Sequence, residues 1–286
     1  MRREVLVVAG VALLAAAGAG LLLPRLRVAP PSRAALPAST DGAKARRGEL
    51  APEVTSVAGA EAFQLLVFPV RVAGARFQIV DLAMGRDLAG ALEQTGASLV
   101  VNGGFFDPDQ RPEGLVVSRG ETLSAWSASL GGGVVVVADG RASSVAVALP
   151  HVAFGGGVVV VADGRAALMQ AEGFVMAPGA DFAVQARPRL VVDGGANVRH
   201  DDGRQAPRTA LCVRDAGREL DVIVAGGEGR GPTLARLAEL LVARGCDGAL
   251  NLDGGPSTGV AWRQGGRVHV VEARGPLRHG IAISAD

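Results

Sequence analysis

Glycine interrupts this chain so often that few apolar segments can grow long. The sequence contains 41 glycines among 286 residues, and the apolar runs between them are mostly short. Short apolar runs bounded by glycine are typical of β-strands, which need only roughly four to eight residues. On this pattern we predict strands at 63–72, 76–82, 97–101, 114–118, 133–138, 158–162, 189–193, 208–214, 219–225 and 248–252.

Two segments have helical periodicity instead. Residues 86–95 carry apolar side chains four apart and end at Gly96, as an amphipathic helix does when it is closed by glycine. A second helix is predicted to begin with Pro232 in its first turn and to end at Gly245. Many strands with few helices favour an α+β fold with a mixed, largely antiparallel sheet over alternating βαβ units.

The first residues of the chain have a different character. Arg2 and Arg3 precede an uncharged apolar run from Val5 to Leu23. As a helix this run would span roughly 28 Å, close to the thickness of a bilayer's hydrocarbon core. Residues 1–23 therefore predict a signal anchor, with a cleaved signal peptide as the alternative. Either one implies export, so that the domain is periplasmic or extracellular, membrane-anchored or secreted.

Residues 24–60 have the composition of a linker, because five prolines alternate with Ala, Ser and Arg and no apolar period is sustained. Residues 1–50 carry eight basic and three acidic side chains, a net charge of +5. Residues 51–286 carry 21 basic and 25 acidic side chains, a net charge of −4. The basic excess belongs to the tether and suits anionic lipid rather than nucleic acid. One domain is expected over residues 61–286.

Cysteine and histidine give few constraints. Cys212 and Cys246 are the two cysteines, and nothing in the sequence fixes the distance between them. We expect two buried free thiols, with a disulfide as the alternative in an oxidising compartment. The spacing of the histidines fits no zinc site, so each is expected to be a packing or surface residue. They are His151, His200, His269 and His279.

One twelve-residue segment occurs twice. Residues 131–142 are identical to residues 155–166. Each copy predicts a buried strand followed by an Asp-Gly turn. Two copies are too few for a solenoid, so we interpret the repeat as a local duplication that adds a hairpin. Asp193-Gly194 predicts a further hairpin turn.

Two glycine-rich segments share a layout in which an apolar strand runs into a polar residue and then a Gly-Gly pair. They are Asn102-Gly103-Gly104 and Asp253-Gly254-Gly255. Glycine there permits positive φ and close approach of a ligand, and successive N–H groups in such turns can bind an anion. Taken singly, either segment could be an ordinary tight turn. Arg208 could hold a phosphate through two parallel hydrogen bonds, although composition alone does not distinguish it from other arginines.

Three motifs, in this order, resemble the signature of the phosphodiester glycosidase family, which includes bacterial relatives linked to exopolysaccharide. They are Asn102–Asp107, Pro207–Ala210 and Asn251–Thr258, and the resemblance covers about residues 60–285. It implies hydrolysis of a sugar–phosphate–alcohol diester at the glycosidic carbon, in the cell envelope or in exopolysaccharide. The implied partners are a phosphorylated glycan or glycosyl phosphodiester and, through the N-terminal segment, the membrane.

The resemblance also implies roles for individual residues. Asp253, Arg208 and Asn102 are the expected catalytic residues. A phosphomonoester is already a good leaving group, so strong protonation by a general acid is less necessary than in ordinary glycosidases. Arg208 would steady the phosphate charge, and Asp253 would act as nucleophile, base or electrostatic partner of an oxocarbenium-like centre. Substrate contacts are expected from Gly103, Gly104, Thr209, Gly254, Gly255, Ser257 and Thr258.

An acidic loop follows the first motif. Asp107, Asp109 and Glu113 could contact a divalent cation such as Ca²⁺, with a solvated turn as the other interpretation. No other cofactor is expected.

Some positions depart from the family pattern. Relatives often carry Asp-Gly where this chain has Ala225-Gly226, an acidic residue at Arg236, and glycine at Cys212 and Arg187. The departures leave a second function open, that of a non-catalytic, membrane-tethered glycan-binding or envelope-assembly protein of the same fold.

Overall fold

The computed structural model describes residues 48–285 except for 59–61, 84, 128–129, 131–132, 139–157, 163–164, 171–179 and 228–229. These residues all belong to one compact unit, Ala35–Asp286. The signal segment predicted at 1–23 and most of the predicted linker lie outside the described residues. Within the described part, no helix is long and apolar enough to cross a membrane.

The described residues form eighteen strands and two α-helices. In chain order the elements are β1 (Glu53–Val57), β2 (Phe63–Arg71), β3 (Arg76–Asp81), α1 (Leu88–Thr95), β4 (Leu99–Asn102), β5 (Val116–Ser118), β6 (Glu121–Ser124), β7 (Gly133–Ala138), β8 (Val158–Ala162), β9 (Arg165–Gln170), β10 (Ala180–Ala186), β11 (Arg189–Val192), β12 (Gly195–Ala196), β13 (Arg208–Arg214), β14 (Glu219–Gly226), α2 (Leu234–Arg244), β15 (Gly248–Asn251), β16 (Val260–Gln264), β17 (Arg267–Val271) and β18 (His279–Ser284).

The strands form three largely antiparallel sheets. The seven-stranded sheet has the order β1-β2-β14-β13-β15-β11-β12, and the five-stranded sheet has the order β17-β16-β4-β18-β3. The six-stranded sheet has the order β6-β5-β10-β7-β8-β9. The α+β prediction is confirmed, with its strands shared among three sheets.

Two helices and two sheets are stacked in layers. One core cluster joins the inner faces of the seven-stranded and five-stranded sheets, where Phe68 meets Trp262 at 5.4 Å between ring centroids. A second cluster buries Leu237 and Leu241 of α2 against the outer face of the seven-stranded sheet. A third buries Leu92 of α1 against the five-stranded sheet. Successive side chains of one strand enter different clusters, because they point to opposite faces of the sheet.

The helix ends follow local capping chemistry. The Asp87 carboxylate accepts a hydrogen bond from Gly90 N–H at 2.6 Å, and α1 ends at Gly96 with φ of 66°. Thr233 caps α2 by accepting from Arg236 N–H at 3.2 Å. Pro232 therefore precedes the N-cap and lies outside the helix, not in its first turn, because the threonine hydroxyl takes the capping position.

The folded region begins earlier than residue 61. Residues 53–57, which composition assigns to the linker, form β1 antiparallel to β2, and Leu50 is buried in the main core. The side chains of β1 are mostly exposed, so no apolar alternation marks it in the sequence. Its backbone ladder with β2 holds it in place.

The duplicated segment forms neighbouring strands. β7 and β8 pair in parallel, with Val135 opposite Val159, its equivalent in the second copy. β8 then pairs antiparallel with β9, so the second copy contributes a hairpin, as expected. The two Asp-Gly turns of the repeat lie outside the described residues. The other predicted hairpin is present, with Asp193 and Gly194 at φ of 49° and 72° between β11 and β12.

Cys212 and Cys246 form a disulfide, with their Cα atoms 5.6 Å apart. The expectation of two free thiols is therefore wrong. Cys212 lies on β13 and Cys246 follows the end of α2, so the packing of the helix on the sheet brings the two together. That distance depends on tertiary packing, which the spacing of two cysteines does not reveal.

A fully buried carboxylate is the centre of an ion-pair network that connects four elements. Asp221 on β14 accepts from Arg214 Nε at 2.7 Å and from Arg244 Nε at 2.5 Å. Arg244, at the end of α2, also donates to Glu53 of β1 at 2.7 Å. Arg214 pairs in addition with Glu219. This network holds β1 and α2 on the sheet.

Asp221→Ala is expected to lower the free energy of unfolding by about 3–5 kcal/mol, because it leaves two arginines without their buried partner. Urea denaturation would measure the change. Glu239→Ala is the control, since it removes the exposed Arg236–Glu239 pair and should cost less than about 1 kcal/mol. Equal effects of the two variants would contradict this account of the network.

Candidate active site

The Asn102 side chain lies where the two layered sheets meet. It is 1% exposed, at the end of β4. Its Oδ1 accepts from Thr209 Oγ1 at 2.7 Å and from Gly259 N–H at 3.2 Å. Its Nδ2 donates to the Asp253 carbonyl at 2.8 Å. One amide therefore joins the start of β13, the approach to β16 and the loop after β15.

The Gly103-Gly104 turn packs against an imidazole. Gly104 N–H donates to His279 Nε2 at 3.1 Å, and Gly103 N–H donates to the His279 carbonyl at 3.0 Å. A Cβ at Gly103 would stand 2.3 Å from His279 Cδ2, so no side chain fits there. Of the four predicted site glycines, Gly255 has positive φ, at 62°. Close approach, rather than a left-handed backbone, explains Gly103.

His279 is a site residue that the sequence did not distinguish. It is buried, and burial lowers its pKa to about 4, with a smaller contribution from Arg278. The ring is therefore neutral near pH 7. Because Nε2 accepts from Gly104, the hydrogen-bond pattern assigns the proton to Nδ1. Its burial agrees with the expected packing role, and its hydrogen bond joins segments that are 175 residues apart in the sequence.

Asp253 presents a half-buried carboxylate. Its Oδ1 accepts from Gly254 N–H at 2.8 Å, and Ser257 donates a side-chain hydrogen bond to the carboxylate. Burial raises the pKa of Asp253, and these two hydrogen bonds oppose the rise. Neither donor is a cation. The Asp253 backbone N–H also donates to the Gly103 carbonyl at 3.3 Å, so the two Gly-Gly loops touch.

Arg208 lies beside the Asp253 loop at the start of β13. Its Cδ is 3.7 Å from where a Cβ of Gly254 would stand. Its Nε donates to the Pro232 carbonyl at 3.3 Å and its Nη2 to the Arg204 carbonyl at 2.7 Å. Burial lowers the pKa of Arg208, and the nearby Asp202 opposes this. The guanidinium is thus positioned by neutral carbonyls.

The structure brings the three predicted catalytic residues together. The predicted site residues differ in solvent exposure. Asp253, Arg208, Gly254 and Gly255 are part-exposed, so a ligand can reach them. The predicted residues buried behind them are Asn102, Gly103, Gly104, Thr209, Ser257 and Thr258. Asn102 and Thr209 bond to each other and to the loop backbone, which gives both a supporting position. Among the described residues, the buried Thr258 hydroxyl has no hydrogen-bond partner.

One of the positions that depart from the family pattern lies beside Arg208. Ala225 is opposite Arg208 in the β13–β14 ladder and is buried beneath α2. It presents no carboxylate to the guanidinium. Arg236 lies on the exposed side of α2, where it pairs with Glu239.

The acidic loop is a turn. The Asp107 carboxylate accepts from Arg111 N–H at 2.8 Å, and Arg111 also forms an exposed ion pair with Asp109. Within the described ranges, no group of three or more His, Cys, Asp or Glu side chains could hold a metal ion. Of the two interpretations of this loop, the solvated turn describes these contacts, and a Ca²⁺ contact stays a prediction.

The sequence profile of the phosphodiester glycosidase family matches residues 95–283, which include all three motifs. The chain belongs to the phosphodiester glycosidase family, as the resemblance implied. A search of curated proteins finds no match.

Solved structures share the fold. The catalytic domain of zebrafish N-acetylglucosamine-1-phosphodiester alpha-N-acetylglucosaminidase, auto-inhibited by its pro-peptide, superposes with a TM-score of 0.58 at 13% identity, covering 87% of this chain and 86% of that one. A hypothetical protein from Synechocystis gives 0.54 at 14% identity, covering 82% of this chain and 61% of its own. A protein from Burkholderia pseudomallei K96243 gives 0.53 at 15%, covering 82% and 76%.

Asn102→Asp is expected to lower the free energy of unfolding by roughly 3 kcal/mol, because the new carboxylate oxygen would face the Asp253 carbonyl without a donor. Chemical denaturation would measure this. Asn197→Asp is the matched control, since it replaces a single bond from a half-buried amide to the Arg189 carbonyl. If the two substitutions cost the same, Asn102 does not have the supporting role assigned to it.

Proposed function

We propose that this chain is a hydrolase that cleaves the glycosidic bond of a sugar–phosphate–alcohol diester. The observation that carries the proposal is the half-buried Asp253 carboxylate, which accepts hydrogen bonds from Gly254 and Ser257 and is carried by the loop whose Gly254 lies beside Arg208. Membership of the phosphodiester glycosidase family supports the same reaction.

Arg208 suits the leaving group. When the bond from the anomeric carbon to the phosphate oxygen breaks, the phosphate gains negative charge. A guanidinium held by two carbonyls is already in place to receive that charge, and partial burial weakens the screening of its field by water. Ala225 leaves the cation without a carboxylate at the neighbouring ladder position.

Asp253 suits the sugar side. An anionic carboxylate stabilises the positive charge that develops at the anomeric carbon, and it can also attack that carbon or take a proton from the attacking water. In each case water adds to the sugar, and the products are the free sugar and a phosphomonoester. Asn102 acts through Asp253, because its amide holds the backbone that carries the carboxylate.

The disulfide supports the proposed setting. A bond between Cys212 and Cys246 persists in an oxidising compartment, which agrees with export directed by residues 1–23. We propose that the domain acts outside the cytoplasm, on diesters of the cell envelope or of exopolysaccharide, while the apolar N-terminal segment contacts the membrane. The name of the zebrafish relative makes an N-acetylglucosamine 1-phosphodiester the first substrate to test.

Asp253→Asn is expected to lower kcat by a factor on the order of 10³ with little change in stability, because the amide keeps the shape but loses the charge. Release of free sugar from N-acetylglucosamine 1-(methyl phosphate) would measure it. Glu239→Gln, which removes an exposed carboxylate on α2, is the control and should retain wild-type turnover. Full activity of Asp253→Asn would remove Asp253 from the mechanism. A wild-type protein that binds the diester without cleaving it would favour the glycan-binding alternative.

The pH dependence of kcat/KM should show an acidic limb. Because burial raises the pKa of Asp253, its carboxyl takes up a proton at a higher pH than an exposed aspartate does. Activity that needs the anion is present above this pKa and is lost as the pH falls through it. His279 also titrates in acid, so the profile should be repeated on His279→Gln, which cannot titrate. If the acidic limb persists in His279→Gln, we assign it to Asp253. If the limb disappears in that variant, the assignment to Asp253 is wrong.

A further inference from the structure

Arg187 lies over an aromatic ring at the edge of the site. Its Cζ is 5.9 Å from the centroid of Phe105, within the range of a cation–π contact. Arg187 is exposed, whereas Phe105 is half-buried and follows Gly104 directly. A guanidinium stacked on a ring face keeps its N–H donors at its edge, where they can meet a planar or tetrahedral anion.

Backbone contacts fix this arginine beside the two Gly-Gly loops. Asn251 Nδ2 donates to the Arg187 carbonyl at 2.9 Å, and Asn251 N–H donates to the Pro188 carbonyl at 3.0 Å. Asn251 is two residues before Asp253. On the other side, a Cβ at Gly104 would stand 3.3 Å from the Gln185 carbonyl, so the end of β10 runs against the Gly103-Gly104 turn.

The sheet order places Asp253 between two arginines. In the seven-stranded sheet β15 lies between β13 and β11, and it is antiparallel to both. Arg208 opens β13, Arg187 comes just before β11, and Asp253 follows the end of β15, so all three are at one edge of the sheet. Strands are about 4.8 Å apart, so the two arginine backbones are separated by roughly 10 Å.

Arg187 also keeps its charge available. The ion pairs of the described residues involve other arginines, and none includes Arg187. One phosphodiester carries one negative charge, which Arg208 suffices to meet. A second exposed cation at this separation suits a second anionic group.

We propose that Arg187 and Phe105 form a second anion subsite, which selects glycosyl phosphodiesters whose alcohol carries a further phosphate or carboxylate. The inference rests on the proposed function and names its substrate class, an anionic phosphodiester-linked glycan rather than a glycosyl diester of a neutral alcohol. Phe105 lies beneath the guanidinium, and Asn251 donates to the Arg187 carbonyl from the segment that leads to Asp253.

The test compares two substrates with the same sugar, N-acetylglucosamine 1-(methyl phosphate) and N-acetylglucosamine 1-(3-phosphoglyceryl phosphate). Arg187→Gln should raise KM for the doubly charged substrate at least about fivefold more than for the methyl diester, with kcat little changed. Arg187→Lys should fall between wild type and Arg187→Gln, because it keeps the charge without the planar fork. Arg267→Gln, at the far end of the β16–β17 hairpin, is the matched control. Equal changes for both substrates, or no change, would overturn the subsite.

Binding separates this inference from the proposed function. Calorimetric titration of wild type and of Arg187→Gln with both compounds does not require turnover. One outcome is that wild type cleaves neither compound, while Arg187→Gln binds the doubly charged compound more weakly than wild type does. In that case the proposed reaction is wrong and the subsite stands. If binding ignores Arg187, or wild type binds neither compound, the subsite falls. Thermal unfolding of each variant confirms that the fold is intact.

Discussion

The position of the site depends on one buried amide. Asn102 belongs to the five-stranded sheet, yet its oxygen accepts from Thr209 of the seven-stranded sheet and its nitrogen donates to the Asp253 carbonyl. A primary amide carries a donor and an acceptor on one rigid plane, so it can fix the relative position of two segments at once. Leaving any of these buried groups unpaired is costly, which is why the two sheets hold the Asp253 loop in one position. The position of the Asp253 carboxylate therefore depends on the buried hydrogen bonds of Asn102.

Two kinds of arginine serve different purposes in this molecule. Arg214 and Arg244 share the buried Asp221, so their charges are neutralised inside the protein. These ion pairs stabilise the packing of β1 and α2 on the sheet. Arg208 is held by carbonyl oxygens, and Arg187 rests on an aromatic ring. Carbonyls and rings fix a guanidinium without cancelling its charge. The contrast therefore separates structural cations from cations that are available to an anionic ligand.

Local chemistry explains which parts of the fold could be predicted from the sequence. Neighbouring residues alone determine the helix caps at Gly96 and Gly245 and the apolar runs of β13 and β14. No strand is predicted for the β16–β17 hairpin, although its turn has a local signal in Gly265-Gly266, with φ of 61° and 73°. The site motifs are local as well, because strand, polar residue and glycines follow each other in the sequence. The disulfide, the support from His279 and the exposed strand β1 depend on contacts between distant segments, which no local pattern records.

The pairing of β7 with β8 bears on how this sheet grew. Three consecutive valines of one copy, Val135 to Val137, lie beside their counterparts in the other, so a duplicated strand meets a neighbour with the same side-chain pattern. The copy extends the sheet on the side of β7 away from β10. β10, which leads into Arg187, pairs with β5 and β7 and not with β8. A strand added at this position widens the sheet away from β10, so the end of β10 that lies against the Gly103-Gly104 turn need not move.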